Sequence, residues 1–493
     1  MPGAAALATR PQPSLSDLLA DGGDGRIVID PATGRNRYGC APAPDPNIAA
    51  FGSTTVSTIS TSAYAAAERR LHEVAAHPSP RLAYAEGMQR VREALADLCG
   101  LPTAGAERIV LAASGTDLHL IAADLVRGDD RRPLITVMPD PGETGRGAPA
   151  ALRSTRFDEV CPYGRPGTPG DILAGAIEGR VIAVALRETD GVPRAAAAID
   201  ADVEAACVRA LRTGGRVLLT LVDVSKTGLI APSPALAAQM KARYGDAIEV
   251  MVDACQFRLS AASLNAYLAQ GFMVAVTGSK FVSGPPFSGA LLCPDQLAWR
   301  FRSHTPLSAL GDYSARQDWP DGWTARRFLP DVHNIGLMLR WEAALHELRA
   351  FRALPDIAVS GFLAAFAHAV HTRLAADAAF QPIAVPAPTR FTAGGWDAQP
   401  TIFSFLLRHA DSPSRTLNAE RTTAVFKDLQ SRETPIHLGQ PVAVGRNDEG
   451  PINALRVSAS ARLVVEALST PNGQDVVIDR AMTALDAVSA AVR

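Results

Sequence analysis

In the stretch VTGSKFVSGPPFSGALLC, from Val276 to Cys293, a single lysine, Lys280, stands between apolar runs, with Gly278 and Ser279 before it and a Gly/Pro-rich turn behind it. An amine held among apolar residues is partly desolvated and available as a nucleophile toward a carbonyl carbon. The competing reading of an isolated lysine is one that snorkels from the edge of a core. Asp253 closes another apolar run, IEVMVDA, 27 residues earlier. A carboxylate there is costly unless it meets a cation or a proton donor, although strand-end aspartates also serve as plain caps. In ASGTD, Ser114, Gly115 and Thr116 stand at the start of a helical stretch. Amides, hydroxyls and the helix dipole suit a phosphate at such a start, and ordinary N-capping uses the same residue types. Taken together, a phosphate cradle, an acid for a ring nitrogen and a lysine able to form a Schiff base are what pyridoxal 5'-phosphate requires.

The elements that must position these groups are legible as seven short apolar runs: RIVLAAS, PLITVMP, RVIAVAL, RVLLTLVDVS, IEVMVDA, MVAVTGS and GALLCP. The first six are β-branched-rich, apolar on both faces and mostly separated by enough chain for a crossover helix, which predicts parallel strands buried between helix layers. The seventh follows the sixth across KFVSGPPFS, a gap too short for a helical crossover, so it is predicted to run antiparallel. Ligands of open parallel sheets bind at the carboxyl ends of strands, the edge to which Ser114, Asp253, Ser279 and Lys280 belong. Upstream, Met88, Val91, Leu95 and Leu98 recur at helical spacing. The run RIVIDPATGRNRYGCAPAPDP reads as an ordered arm. Downstream, the amphipathic NIGLMLRWEAALHELRAF, an Ala-rich helix near 359–377, TIFSFLL and NALRVSASARLVVEAL suggest a smaller α/β unit. The expected organisation is an arm over 1–45, a large domain over 46–335 and a small C-terminal domain over 336–493.

The series SGTD, VDVSKTG, VDACQ and TGSKFVSGPPFSGALL resembles the type I fold of pyridoxal phosphate enzymes, in particular the class V aminotransferase and cysteine desulfurase-like branch. The likeness spans roughly residues 45 to 300 by motif order. It implies an α/β fold, a seven-stranded mostly parallel sheet with one antiparallel strand sandwiched by helices, plus a smaller α/β C-terminal domain. It implies that Lys280 carries the cofactor and that Asp253 faces the pyridinium nitrogen. Gln256 then reaches the ring's phenolic oxygen, with Ser225 near the same oxygen. Ser114, Gly115, Thr116, Thr277 and Ser279 surround the phosphate, and Arg456 grips a substrate carboxylate through its planar fork. Tyr38, with Arg35 and Arg37 in the arm, is a candidate substrate contact, and FGSTTVSTIS, Phe51 to Ser60, a candidate cleft lining.

The sequence also departs from that pattern. Desulfurases of this branch carry a nucleophilic cysteine well after the lysine, whereas the last cysteine here is Cys293, inside a strand, which argues against persulfide transfer. Where relatives stack a His or aromatic on the ring, the chain reads PDPGETGRGAP, leaving Glu143, Thr144 and His119 as alternatives. Transamination is the first expectation. A lyase or β/γ-substitution reaction joining carbon fragments, for which S-adenosylmethionine is one activated substrate, is the second. A non-catalytic effector-binding protein is the third. A formal charge of -2 gives no global attraction to nucleic acid or anionic membrane. Six scattered cysteines without metal-ligand spacing read as cytosolic thiols. The expected partners are an amino acid or amine substrate and a second copy in a homodimer.

Overall fold

The computed structural model describes residues 13–54, 57–128, 130 and 132–492. Thr55 and Val56 of the predicted cleft lining lie outside the described residues. A short strand, β1 (Ala49–Phe51), precedes the seven predicted ones: β2 (Ile109–Ala112), β3 (Leu134–Pro139), β4 (Arg180–Val184), β5 (Arg216–Val222), β6 (Ile248–Ala254), β7 (Met273–Thr277) and β8 (Gly289–Leu292). The seven form one sheet in the order β2-β8-β7-β6-β5-β3-β4. All neighbours pair in parallel except β8, which runs antiparallel to both β2 and β7. Every residue of β2, β3, β6, β7 and β8 is buried, as two helix-covered faces require, whereas the edge strand β4 keeps exposed positions.

The smaller sheet is completed by β9 (Phe380–Pro382), β10 (Ile402–Leu407), β11 (Ile436–Asn447) and β12 (Gly450–Ser458), in the order β1-β11-β12-β10-β9. β1 pairs in parallel with β11, Phe51 opposite Leu438. The chain therefore adds a strand to the C-terminal sheet before it builds the larger one, so the stretch at 49–51, read from sequence as large domain, sits in the smaller unit. A three-residue strand carries no periodicity of its own, and its partner lies almost four hundred positions away. The helix Asp356–Ala376 is long and apolar enough to cross a membrane. It buries Val359, Phe362, Phe366 and Val370 in the core beside the C-terminal helix Gly473–Val492.

The helix Ile335–Arg352 packs on Thr61–Ala76 and Pro80–Leu98 and presses onto the turn that follows β7. A Cβ on Gly278 would lie 2.5 Å from the Ala344 Cβ, so only glycine lets the helix approach the residue two before the lysine. Trp341 donates to the Gly289 carbonyl at 3.2 Å and locks the helix to β8.

Candidate active site at the carboxyl edge of the sheet

Asp253 is the penultimate residue of β6, in register with Val222 of β5 and Ala275 of β7, and is buried. One carboxylate oxygen accepts the Cys255 N–H at 3.2 Å, and the other lies 3.4 Å from His119 Nε2. That is an ionic contact without hydrogen-bond alignment, because His119 Nε2 has no hydrogen-bond partner. The other ring nitrogen, Nδ1, lies 2.7 Å from the Gly115 carbonyl, one helical turn back. Burial pulls the His119 imidazole down, but the Asp253 carboxylate and the Gly115 carbonyl outweigh it, so its pKa is raised above the ordinary 6.5. Burial pushes Asp253 up, yet His119, the Lys280 charge and the Cys255 thiol hold it well below the carboxylate range.

Lys280 lies in the turn between β7 and β8, three residues past the end of β7, and is half-buried. Its carbonyl accepts Ser57 Oγ at 3.2 Å and the Ser283 N–H at 2.9 Å, and the Ser279 carbonyl accepts the Ser57 N–H at 3.1 Å. Ser57 of the 51–60 segment thus lies against the lysine turn. The Lys280 amine makes no hydrogen bond among the described residues, and its charge acts on Asp253, His119 and Lys226.

Ser114 caps the helix Gly115–Arg127, accepting the Thr116 and Asp117 N–H groups, and donates to Asp117 Oδ2 at 2.5 Å. A Cβ on Gly115 would lie 2.8 Å from the Cys255 sulfur, so glycine is what lets the helix start settle onto the end of β6. Thr277 Oγ1 donates to the Cys255 carbonyl at 2.6 Å, and Ser279 Oγ lies 3.5 Å from Thr277 Oγ1. Gly115, Thr277 and Asp253 therefore converge on Cys255, meeting its Sγ, carbonyl and amide respectively.

Other predicted residues are differently engaged. Ser225 donates its hydroxyl to Glu143 Oε2 at 2.7 Å. Glu143 also accepts Arg187 Nε at 2.6 Å and Thr227 Oγ1 at 2.7 Å, so it is locked into a buried network joining the loops after β3, β4 and β5. Burial alone would raise the Glu143 pKa, but Arg187 and the hydroxyls lower it. Thr144 next to it is buried with its hydroxyl unpartnered. Of the three candidates for a place over a ring, Glu143 is spent on this network and His119 faces Asp253. Gln256 donates to the Thr54 carbonyl at 2.9 Å. Arg456, on β12, is fully buried rather than a surface residue. It donates to the Lys226 carbonyl at 3.1 Å and to the Gln440 carbonyl, and its Nε is unpartnered. Tyr38 packs with Ile27 and Phe287 on Ala113, at the helix-cap end of the site. Arg35 contacts His437 at 3.2 Å, and Arg37 offers its carbonyl to Gln440.

Sequence reasoning missed three residues. Lys226 directly follows Ser225; its amine donates to the Gly142 carbonyl at 3.0 Å, and burial first, then Arg456 and Lys280, push its pKa down to about 7. Asp117 lies in the quoted SGTD run, whose residue types also serve ordinary N-capping; burial and Asp24 raise it to about 7. Arg26 in the arm reaches Ser114 and Thr116. No spacing in the sequence links it to them.

Sheet order, strand directions and the smaller C-terminal sheet define the fold of the type I pyridoxal phosphate-dependent enzymes. No known protein family's sequence profile matches the chain, and no curated protein sequence matches it. Among solved structures the chain is similar to a lysine-to-alanine mutant of C-DES with glycine covalently linked to its PLP cofactor, at TM-score 0.54 and 16% identity over 89% of this chain and 99% of that one. It is also similar to the 4-hydroxyphenylacetaldehyde synthase of Rhodiola rosea, at TM-score 0.53 and 13% identity over 91% and 84% of the two chains. The Escherichia coli cysteine desulfurase CsdA is similar at TM-score 0.51 and 13% identity over 89% and 94%.

Proposed function

We propose that this chain is a pyridoxal phosphate-dependent enzyme that acts on an amino acid or amine through a carbanion at Cα, with transamination as its reaction type. The observation that carries the reading is the meeting of a half-buried lysine without a hydrogen-bonding partner and a buried, ionised aspartate at the carboxyl edge of one parallel sheet, beside a hydroxyl-rich helix start. The residues fit the cofactor. Thr144 Oγ1, Thr54 Oγ1 and Arg456 Nε are all buried without a hydrogen-bond partner, as polar atoms that await a ligand are. A Cβ on Gly439 would lie 2.4 Å from Thr54 Oγ1 and 2.9 Å from Arg456 Nε, so two of these atoms pack against the same glycine.

When bound, the cofactor supplies an aldehyde for the amine and an electron sink for the charge left at Cα. In this reading Lys280 holds it and moves the proton at Cα as general acid and base. Asp253 keeps the ring nitrogen protonated, a role that its depressed pKa suits. Arg456 Nε and Thr54 Oγ1 are the donors for a substrate carboxylate, and Lys226 adds positive charge near them. All six cysteines are buried, which leaves no exposed thiol for persulfide relay. Their unpaired state fits a cytoplasmic protein, and the reading includes a homodimer with shared sites.

Borohydride reduction of the holoenzyme followed by peptide mass spectrometry tests the assignment. A pyridoxyl adduct is expected on Lys280, and an adduct on another lysine, or none, refutes it. Incubation with amino acids then separates the reaction types. A keto acid and the amine form of the cofactor mark transamination, whereas loss of a side-chain group with the aldehyde form retained marks elimination or β/γ-substitution.

A further inference from the structure

The arm before the first strand is bound to the large domain by polar contacts with its backbone. Arg340, fully buried on the helix Ile335–Arg352, donates to the carbonyls of Asp21 at 2.5 Å and Gly22 at 3.2 Å. Asn334 adds a bond to the Gly22 carbonyl at 2.8 Å, and Asp158 accepts the Gly25 N–H at 3.2 Å. A Cβ on Gly23 would lie 2.8 Å from the Phe287 ring, so the DGGDG run is small because the arm lies flat on the lysine turn.

This clamp delivers Arg26. Its Nε and Nη2 fork onto Asp24, itself buried, at 2.9 and 2.5 Å. Its guanidinium lies 5.2 Å from the centre of the Phe287 ring. Phe287 holds φ at 71°, a left-handed conformation unfavourable for a bulky residue, and Arg340 Nε bonds its carbonyl at 2.7 Å. Asp24 occupies one edge of the guanidinium. Its Nη2 lies 3.3 Å from Ser114 Oγ and 3.4 Å from Thr116 Oγ1, the hydroxyls at the helix start.

We propose that Arg26 is the cation of the phosphate cup: the N-terminal arm carries a guanidinium, oriented by Asp24 and seated on Phe287, to the phosphate of the cofactor beside Ser114 and Thr116. The inference rests on the cofactor reading above. Local charge supports it. Asp24 and Asp117 both lie at this helix start, and the Arg26 guanidinium offsets their charge where a phosphate would bind. Arg suits the position better than Lys because its fork can serve a carboxylate with one edge and a phosphate with another.

The test compares dissociation constants of pyridoxal 5'-phosphate and of pyridoxal, which lacks the phosphate, for the apo forms of wild type, Arg26→Gln and Arg26→Lys, with folding checked by circular dichroism. Arg26→Gln is expected to weaken the phosphorylated ligand roughly 10- to 100-fold, as loss of a charge-assisted hydrogen bond does, and to leave pyridoxal unchanged. Arg26→Lys, which keeps the charge and loses the fork, is expected to fall between. Equal weakening of both ligands makes Arg26 a structural residue and overturns the proposal, as does no weakening of either. Inorganic phosphate is the independent probe. If wild type binds it and Arg26→Gln does not, the anion site stands even should borohydride find no pyridoxyl-lysine, in which case the cofactor reading fails alone. If phosphate binding survives Arg26→Gln, the proposal fails.

Discussion

Replacing Asp253 by asparagine isolates the interaction on which the site turns, because the side chain keeps its shape and loses its charge. In the folded chain the carboxylate lies 3.4 Å from His119 Nε2. Two unit charges at that distance attract by about 1 kcal/mol in a water-like medium and about 5 kcal/mol at an effective dielectric of about 20. That attraction keeps the buried imidazole above its ordinary 6.5, since burial and Lys280 both act the other way. Asp253→Asn should therefore reverse the shift and bring His119 below 6.5. The consequence for stability has a defined window. A histidine with a raised folded pKa contributes stability fully present below its unfolded value and lost as pH rises through the folded one. A carboxylate with a depressed folded pKa contributes stability present above about 3.8 and lost as pH falls through its folded value. The pair thus stabilises most between about pH 4 and 6.5, and the variant should lose more stability at pH 5.5 than at pH 8.5. Proton–carbon NMR titration of the apo chain, with the His119 signal assigned by its loss in His119→Gln, reads the first effect, and urea unfolding at the two pH values reads the second. An unchanged or higher His119 midpoint in Asp253→Asn would refute the electrostatic account.

Three further outcomes are expected. Lys226→Met should raise the melting temperature more at pH 6 than at pH 10. The folded value of about 7 lies below the unfolded 10.5, so the wild-type lysine penalises folding at low pH and the penalty fades between those values; a gain independent of pH would rule this out in differential scanning fluorimetry. Asp223→Asn should destabilise by about 3 to 5 kcal/mol in urea, because it strands a buried guanidinium. Arg390 forks onto Asp223 at 2.6 and 2.8 Å, with Tyr267 donating at 2.8 Å, and both charged side chains are almost wholly buried. Gly115→Ala should cost about 1 to 3 kcal/mol through overpacking, since the new methyl would lie 2.8 Å from the Cys255 sulfur; unchanged stability would show that the helix start yields.

Local pattern determined a great deal about this protein. Seven apolar runs became seven strands because residues buried on both faces carry their own signature, and the reversed last strand followed from a gap that no helix could fill. Lys280 and Asp253 were legible because a charged residue that ends an apolar run needs a reason. Tertiary structure alone decided what the remaining side chains touch. Glu143 and Thr144 are adjacent in sequence, and only the folded chain closes Arg187, Ser225 and Thr227 around Glu143 from two other loops. His119 lay in view on a helix, but its partner stands at the end of a strand 134 positions on, and only the sheet order brings them together. The same holds for β1, which joins a sheet made from the far end of the chain, and for Arg26, which the arm lays against a helix start 88 positions downstream. Periodicity reports the burial of a residue against its neighbours in sequence; contacts across such separations are fixed by packing, and no single stretch encodes them.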